Sequence, residues 1–148
     1  MERYFKGIQP HINIENIETE IVFLPGLPER TLEIAKNFSS YKKVTAQREF
    51  VTYKGDIERR NVCVTSTGIG CPSAAIVVEE LANCGVKVFI RVGTTGAIQE
   101  NIELGDVIIP VAAVRDDGTT KEYVNDDYPA DASSKVVEAL KKAAEDAK

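Results

Sequence analysis

Lys87-Val88-Phe89-Ile90-Arg91-Val92-Gly93-Thr94-Thr95-Gly96 is the stretch whose reading decides the fold. The apolar run Val88-Phe89-Ile90 predicts a short strand covered on both faces, and the glycines after it predict a tight turn. A charged Arg91 at the end of such a strand needs an anionic partner or a route to water. In open α/β sheets, ligands collect at the carboxyl ends of strands, and a turn rich in Gly, Thr and backbone N–H groups suits oxyanions. The stretch therefore predicts an α/β fold with a phosphate-type anion site at Arg91 and the following turn.

The same strand, turn and helix pattern occurs twice upstream. Residues 20–24 read as a strand ending at Pro25-Gly26-Leu27-Pro28-Glu29-Arg30, after which Leu32, Ala35 and Phe38 recur at helical spacing. Pro28 suits a first helical turn, Gly26 admits close backbone approach, and the free N–H groups with Arg30 form a candidate anion site; an ordinary turn with a solvated arginine is the competing reading. Residues 61–65 read as a strand running into Ser66-Thr67-Gly68-Ile69-Gly70-Cys71-Pro72-Ser73, and an apolar helix face follows up to Gly85. This turn falls short of a dinucleotide fingerprint, because Ser73 stands where the third glycine belongs and no ribose-binding acid follows the next strand. No Walker A sequence occurs.

Between these units, Arg48-Glu49-Phe50-Val51-Thr52-Tyr53 is β-prone and alternating, and Lys54-Gly55-Asp56 predicts the turn of a hairpin with strand 61–65. Arg48 and Glu49 read there as a solvated ion pair on an exposed face. Residues 1–19 read as a loop or short edge strand. Their His11 is the only histidine in the chain and, taken alone, is more often a surface residue than a catalytic one. Downstream, residues 105–115 read as one long strand with Pro110 as a bulge or edge point. Residues 116–131 form an acidic connection whose spacing does not match an EF-hand, and an amphipathic helix runs from Ser133 to the end.

The chain has 148 residues, 43% of them hydrophobic, with a net charge of −5, which suits one globular domain over residues 1–148 and argues against an extended nucleic-acid surface. Three cysteines without a CxxC pair suggest neither a zinc nor a disulfide framework, and favour a reducing, cytoplasmic setting. The N-terminus has no apolar leader core, and no run approaches the roughly 20 apolar residues of a membrane span.

Taken together, Pro25-Gly26-x-x-x-Arg30, Arg48-Glu49-Phe50, Ser66-Thr67-Gly68-Ile69-Gly70-x-Pro72-Ser73 and Arg91-Val92-Gly93-Thr94-Thr95-Gly96-Ala97 resemble, in order and spacing, the hexameric nucleoside phosphorylase family. The Arg48-Glu49-Phe50 and Thr94-Thr95-Gly96 versions look like uridine phosphorylases. The resemblance implies a three-layer fold with a mixed central β-sheet flanked by helices. It implies that Gly26, Arg30, Arg91 and Thr94 hold phosphate, with Arg91 and Thr94 as the catalytic pair, and that Arg48 reaches in from a neighbouring subunit.

The resemblance further implies that Ile69, Thr95 and Gly96 line a nucleoside pocket and that His11 meets the ribose 5′-hydroxyl across the same interface. The position of His11 is closer to that of the purine enzymes. Glu49, Ile69 and Ser73 match residues that hold a monovalent cation such as K+ between subunits in some uridine phosphorylases. The expected reaction is phosphate-dependent cleavage of uridine to base and ribose 1-phosphate, with phosphate as co-substrate and no organic cofactor. The expected assembly is a hexamer built from site-forming dimers. Purine nucleosides are the alternative substrates.

Three arginines around one anion favour phosphorolysis over hydrolysis. The resemblance also implies that the family's base-reading and ribose-gripping segments lie beyond residue 148, so that this chain is the N-terminal portion of such a domain and inactive alone. A naturally short, non-catalytic anion-binding or oligomerising module is the competing explanation.

Overall fold

The computed structural model describes residues 7–147. The reading of residues 1–6 as part of an N-terminal loop without an apolar leader lies outside the described residues, as does Lys148 at the expected end of the last helix. The chain divides into two compact units, Met1–Thr94 and Thr95–Lys148.

The first unit contains β1 (Ile21–Leu24), α1 (Pro28–Ala35), β2 (Ser40–Gln47), β3 (Phe50–Ile57), β4 (Arg60–Thr65), α2 (Cys71–Asn83) and β5 (Val88–Arg91). The strands form one sheet in the order β2-β3-β4-β1-β5. β1 is parallel to both β4 and β5, whereas β2 with β3 and β3 with β4 are antiparallel, so the sheet is mixed as expected.

Strand alternation sorts the side chains into two cores. Val22 and Leu24 of β1 and Cys63 of β4 pack with Val77 and Leu81 of α2, while Ile21, Phe23, Val62 and Val64 pack with Ile34 and Ala35 of α1. Helices therefore cover the sheet on both faces. The connections leaving the adjacent strands β1 and β4 go to opposite faces, which leaves a crevice at their carboxyl ends.

Residues 7–19 are turns and coil, and Ile12, Ile14 and Ile17 are buried in the α2-side core. Their alternation comes from packing beneath a helix; they form no strand pairing. Gly85 ends α2 with φ +99°, and its N–H donates to Ala82 O at 3.0 Å while Val86 N–H donates to Leu81 O at 3.0 Å.

Three local readings are corrected. Lys54-Gly55-Asp56 is not a turn but part of β3, and the β3–β4 turn is Glu58-Arg59, with φ +48° and +67°. Gly55 is required by close backbone approach: a methyl group there would lie 2.0 Å from Ser40 O and 2.8 Å from Phe38 Cδ2. Arg48-Glu49 is itself a turn, joining Gln47 and Phe50, which pair across β2 and β3. Both residues are exposed there, in place of the expected ion pair on a strand face.

β5 was expected to be covered on both faces, but it is the edge strand among the described residues. Val88, Phe89 and Ile90 are half-buried and Arg91 is exposed. Its charge thus has a route to water.

The second unit contains a 3-10 turn (Thr120–Glu122) and α3 (Ser134–Asp146). The long strand expected at residues 105–115 does not form. A strand needs a hydrogen-bonded neighbour along its length, and the described residues supply only the bridge Ala112–Asp131, leaving Val107, Ile108, Val111 and Val114 exposed. Arg115 donates to Asn125 O at 2.7 Å and Tyr128 O at 3.2 Å, folding the acidic connection onto itself. Within that connection, Asp117 accepts from the Thr120 N–H and hydroxyl at 2.8 and 2.9 Å, bonds that hold its carboxyl below the usual carboxylate range. α3 buries Val137 and half-buries Val136, Leu140 and Ala144. No helix among the described residues is long and apolar enough to cross a membrane.

Candidate functional site

Three parallel strands, β4, β1 and β5, end side by side, and the turns that leave them are hydrogen-bonded to one another. Thr67 N–H donates to Pro25 O at 2.9 Å, and Gly68 N–H to Gly26 O at 3.0 Å, which extends the β1–β4 register past the strand ends. On the other side, Val92 N–H donates to Leu24 O at 3.1 Å and Arg91 Nη1 to the same carbonyl at 2.6 Å. Arg91 is thereby bent back over the β1 turn. A methyl group on Gly26 would sit 3.3 Å from Arg91 Nη2 and 3.7 Å from Gly68 O. The expected partners Gly26 and Arg91 thus come together as a guanidinium laid over a bare stretch of backbone.

Gly68 is fixed by two demands at once. Its φ is +68°, and a methyl group there would meet Glu49 Cγ at 2.6 Å and Ser73 Oγ at 2.8 Å. Glu49 and Ser73, from a hairpin turn and from the first turn of α2, are therefore brought against the same glycine. Ser73 Oγ donates to Thr67 O at 2.6 Å and to Glu49 Oε1 at 3.2 Å. Ser66 ties the hairpin turn in place, since its hydroxyl donates to Glu49 O at 2.6 Å and accepts from Val51 N–H at 2.8 Å. Ile69, next in the chain, is 93% exposed. Carboxylate and hydroxyl oxygens at Glu49 and Ser73 are the donor type a hard cation takes, so the residues present fit the expected monovalent ion.

Both helices of this unit start at the same end of the sheet. Neither N-cap, Leu27 for α1 or Gly70 for α2, makes a side-chain capping bond, and Pro28 and Pro72 occupy the first turns. First-turn N–H groups have no partner within a helix, and their partial positive charge favours an anion. Arg30, half-buried on the first turn of α1, makes no hydrogen bond or ion pair with the described residues. Thr94 is exposed beyond β5. In the second unit, Thr95 and Gly96 are exposed, and Thr95 Oγ1 donates to Gly96 O at 3.3 Å.

Two expected residues lie apart from this cradle. Arg48, at the tip of the β2–β3 turn with φ +54°, is exposed. His11 is held about two turns down α2 from Ser73 by Glu80, counting 3.6 residues per turn. Its Nδ1 lies 2.6 Å from Glu80 Oε1, and the N–H groups of His11 and Ile12 donate to the same carboxylate at 3.1 and 2.8 Å. Pro10 is linked to the hairpin that carries Arg48, because Gln47 Nε2 donates to Pro10 O at 3.0 Å.

Glu80 and Gln47 were passed over in the sequence. For Glu80 a signal existed: it shares the buried face of α2 with Val77, three residues back, and Leu81, one residue on, where a lone carboxylate demands donors. Gln47 carried no signal, because its partner is 37 residues away.

The model for the phosphorylase superfamily matches residues 20–148 and so runs through both compact units. The uridine phosphorylase of Treponema pallidum is 50% identical over 144 residues, covering 97% of this chain and 56% of that protein. The uridine phosphorylase of Thermococcus kodakarensis is 48% identical over 141 residues, covering 95% of this chain and 51% of that protein. The crystal structure of purine nucleoside phosphorylase from Toxoplasma gondii in complex with immucillin-H superposes with a TM-score of 0.91 at 33% identity, covering 96% of this chain and 58% of the other. The chain spans about half the length of the curated relatives it matches.

Proposed function

The chain belongs to the phosphorylase superfamily, and from that premise we propose that it supplies the phosphate-holding part of a nucleoside phosphorylase acting on uridine. The observation that carries the reading is the approach of the Arg91 guanidinium to the bare backbone of Gly26, 3.3 Å from where a side chain would begin. A planar cation beside open N–H groups, at the carboxyl ends of parallel strands, is suited to a tetrahedral oxyanion.

In this reading, Gly26, Arg30, Arg91 and Thr94 hold phosphate in one protomer, and Arg48 reaches it from a second copy. Ile69, Thr95, Gly96 and the second copy's histidine, equivalent to His11, meet the nucleoside. The C1′–N bond to the base breaks and a C1′–O bond to phosphate forms; the base leaves with the bonding electron pair. Positive charge develops at C1′ in between, so a phosphate held rigidly below it acts as nucleophile and as counter-charge. Glu49 and Ser73, with the backbone at Ile69, would hold a monovalent cation that neutralises charge at the contact between copies. Hexamer formation and a cytoplasmic setting belong to the same proposal, the second resting on an odd count of three cysteines with no CxxC spacing.

The names of the relatives support uridine as substrate, and the similarity to a purine enzyme keeps purine nucleosides as the second reading. The test has two parts. Phosphate titrated into this chain, followed by phosphorus NMR, should bind weakly and saturably, and Arg91→Ala should abolish that binding. In a protein of full family length built on this sequence, uracil release from uridine should depend on phosphate and yield ribose 1-phosphate. Undiminished phosphate binding by Arg91→Ala, or base release without phosphate, would sink the assignment.

A further inference from the structure

Glu80 is a buried carboxylate that the reaction outlined above does not use. Its side chain is 8% exposed, whereas that of His11 is 41% exposed. Both carboxylate oxygens take backbone donors: His11 N–H lies 3.1 Å from each, and Ile12 N–H lies 2.8 Å from Oε2. The fourth contact is the imidazole, with Nδ1 2.6 Å from Oε1.

A carboxylate has only acceptor capacity, so the proton in that last contact belongs to Nδ1. In a neutral ring this leaves Nε2 with a lone pair. Nε2 has no hydrogen-bond partner among the described residues. The backbone bonds to the same carboxylate fix the ring's attachment point as well as its tautomer, so the imidazole is oriented before any ligand arrives.

We propose that Glu80 is a positioning residue for His11: it holds the imidazole as the Nδ1–H tautomer and thereby presents Nε2 as an acceptor for a hydroxyl of the ligand. The proposal rests on the reading of His11 as a nucleoside contact, and it makes that contact directional. A ligand hydroxyl donates to His11; it does not accept from it. A sugar hydroxyl meets this demand, and an ether or a deoxy analogue does not.

His11 is the sole histidine, so nitrogen-15 NMR of this chain, at a pH where the ring is neutral, reads one imidazole without ambiguity. The Nδ1–H tautomer should dominate in the unmodified chain. In Glu80→Gln and Glu80→Ala it should give way to the Nε2–H form that free histidine side chains prefer, while Glu80→Asp should retain part of the Nδ1–H population. A dominant Nε2–H tautomer in the unmodified chain overturns the proposal even if every variant fails to fold. A folded Glu80→Ala that keeps the Nδ1–H tautomer overturns it as well, because the backbone bonds would then be the carboxylate's sole role.

These measurements need no nucleoside, so they fail or succeed independently of the substrate assignment. That assignment is tested separately in a protein of full family length built on this sequence, where Glu80→Gln should raise KM for uridine about five- to tenfold, the worth of one hydrogen bond, with kcat little changed. The same substitution should leave KM for 5′-deoxyuridine unaltered. An equal effect on both nucleosides overturns the proposed hydroxyl contact.

Discussion

Gly26→Ala separates a role in binding from a role in folding, because the structure assigns different sizes to the two effects. Gly26 does not have positive φ, so an alanine backbone fits without strain. The new methyl group would meet Gly68 O at 3.7 Å, an ordinary contact, and Arg91 Nη2 at 3.3 Å, which is the free end of a flexible side chain. Relief by a few tenths of an ångström is available there, and a glycine-to-alanine change stiffens the unfolded chain by about 0.4–1 kcal/mol in favour of folding. The net change in stability should therefore stay within about 1 kcal/mol.

Phosphate binding should behave differently. The methyl group displaces Nη2 and covers the backbone that an oxyanion would approach. Loss of one charge-assisted hydrogen bond costs about 1.5–3 kcal/mol, which is roughly a ten- to hundredfold weaker dissociation constant. Urea unfolding followed by circular dichroism gives the first quantity and a phosphate titration by NMR the second. Unchanged phosphate affinity would refute the cradle. A stability loss of several kcal/mol would refute the claim that this glycine is spaced for a ligand. Gly68→Ala is the contrasting control: it combines a left-handed φ with contacts at 2.6 and 2.8 Å, and it should destabilise the fold by about 2–4 kcal/mol.

The two-residue turn Glu58-Arg59 has both residues in the left-handed region, so replacing them by Asn-Gly should stabilise the chain by about 1 kcal/mol in urea unfolding, with no change expected if the turn lay at Lys54-Gly55-Asp56. Gly55→Ala should cost about 3 kcal/mol or more, since its methyl group would collide with the Ser40 carbonyl in the paired strand. In the folded chain an alkylating reagent should label Cys71, which is exposed, and spare Cys63 and Cys84, which are buried; mass spectrometry of the digested protein reads this directly. Burial pushes the Cys63 thiol well above its ordinary range. The unfolded chain then loses this proton first, and stability should fall as pH rises past about 8.5, a slope that Cys63→Ala should reduce.

What the sequence determined by itself was local and periodic. Continuous apolar runs in β1 and β4 specify strands buried on both faces, the Pro28 and Pro72 turns announce two helix starts, and Gly26 marks where backbone must come close to something else. These follow from side-chain period and backbone sterics, which act within a few residues. The order and spacing of the motifs carrying Gly26, Arg48, Ser73 and Arg91 were legible through their resemblance to the nucleoside phosphorylase family.

What only the tertiary structure decided depends on partners far away in the chain. Gly55 looks like a turn residue until Ser40 is placed 2.0 Å from its missing side chain, and Glu58-Arg59 makes the turn with no glycine to advertise it. The apolar run at residues 105–115 has strand composition, yet finds no ladder to join among the described residues. Glu80 reads as one more helix carboxylate until His11 and Ile12, 69 and 68 residues away, deliver their N–H groups to it. Hydrogen-bond satisfaction is a global condition on a folded chain, and a local pattern can state the demand without naming the group that meets it.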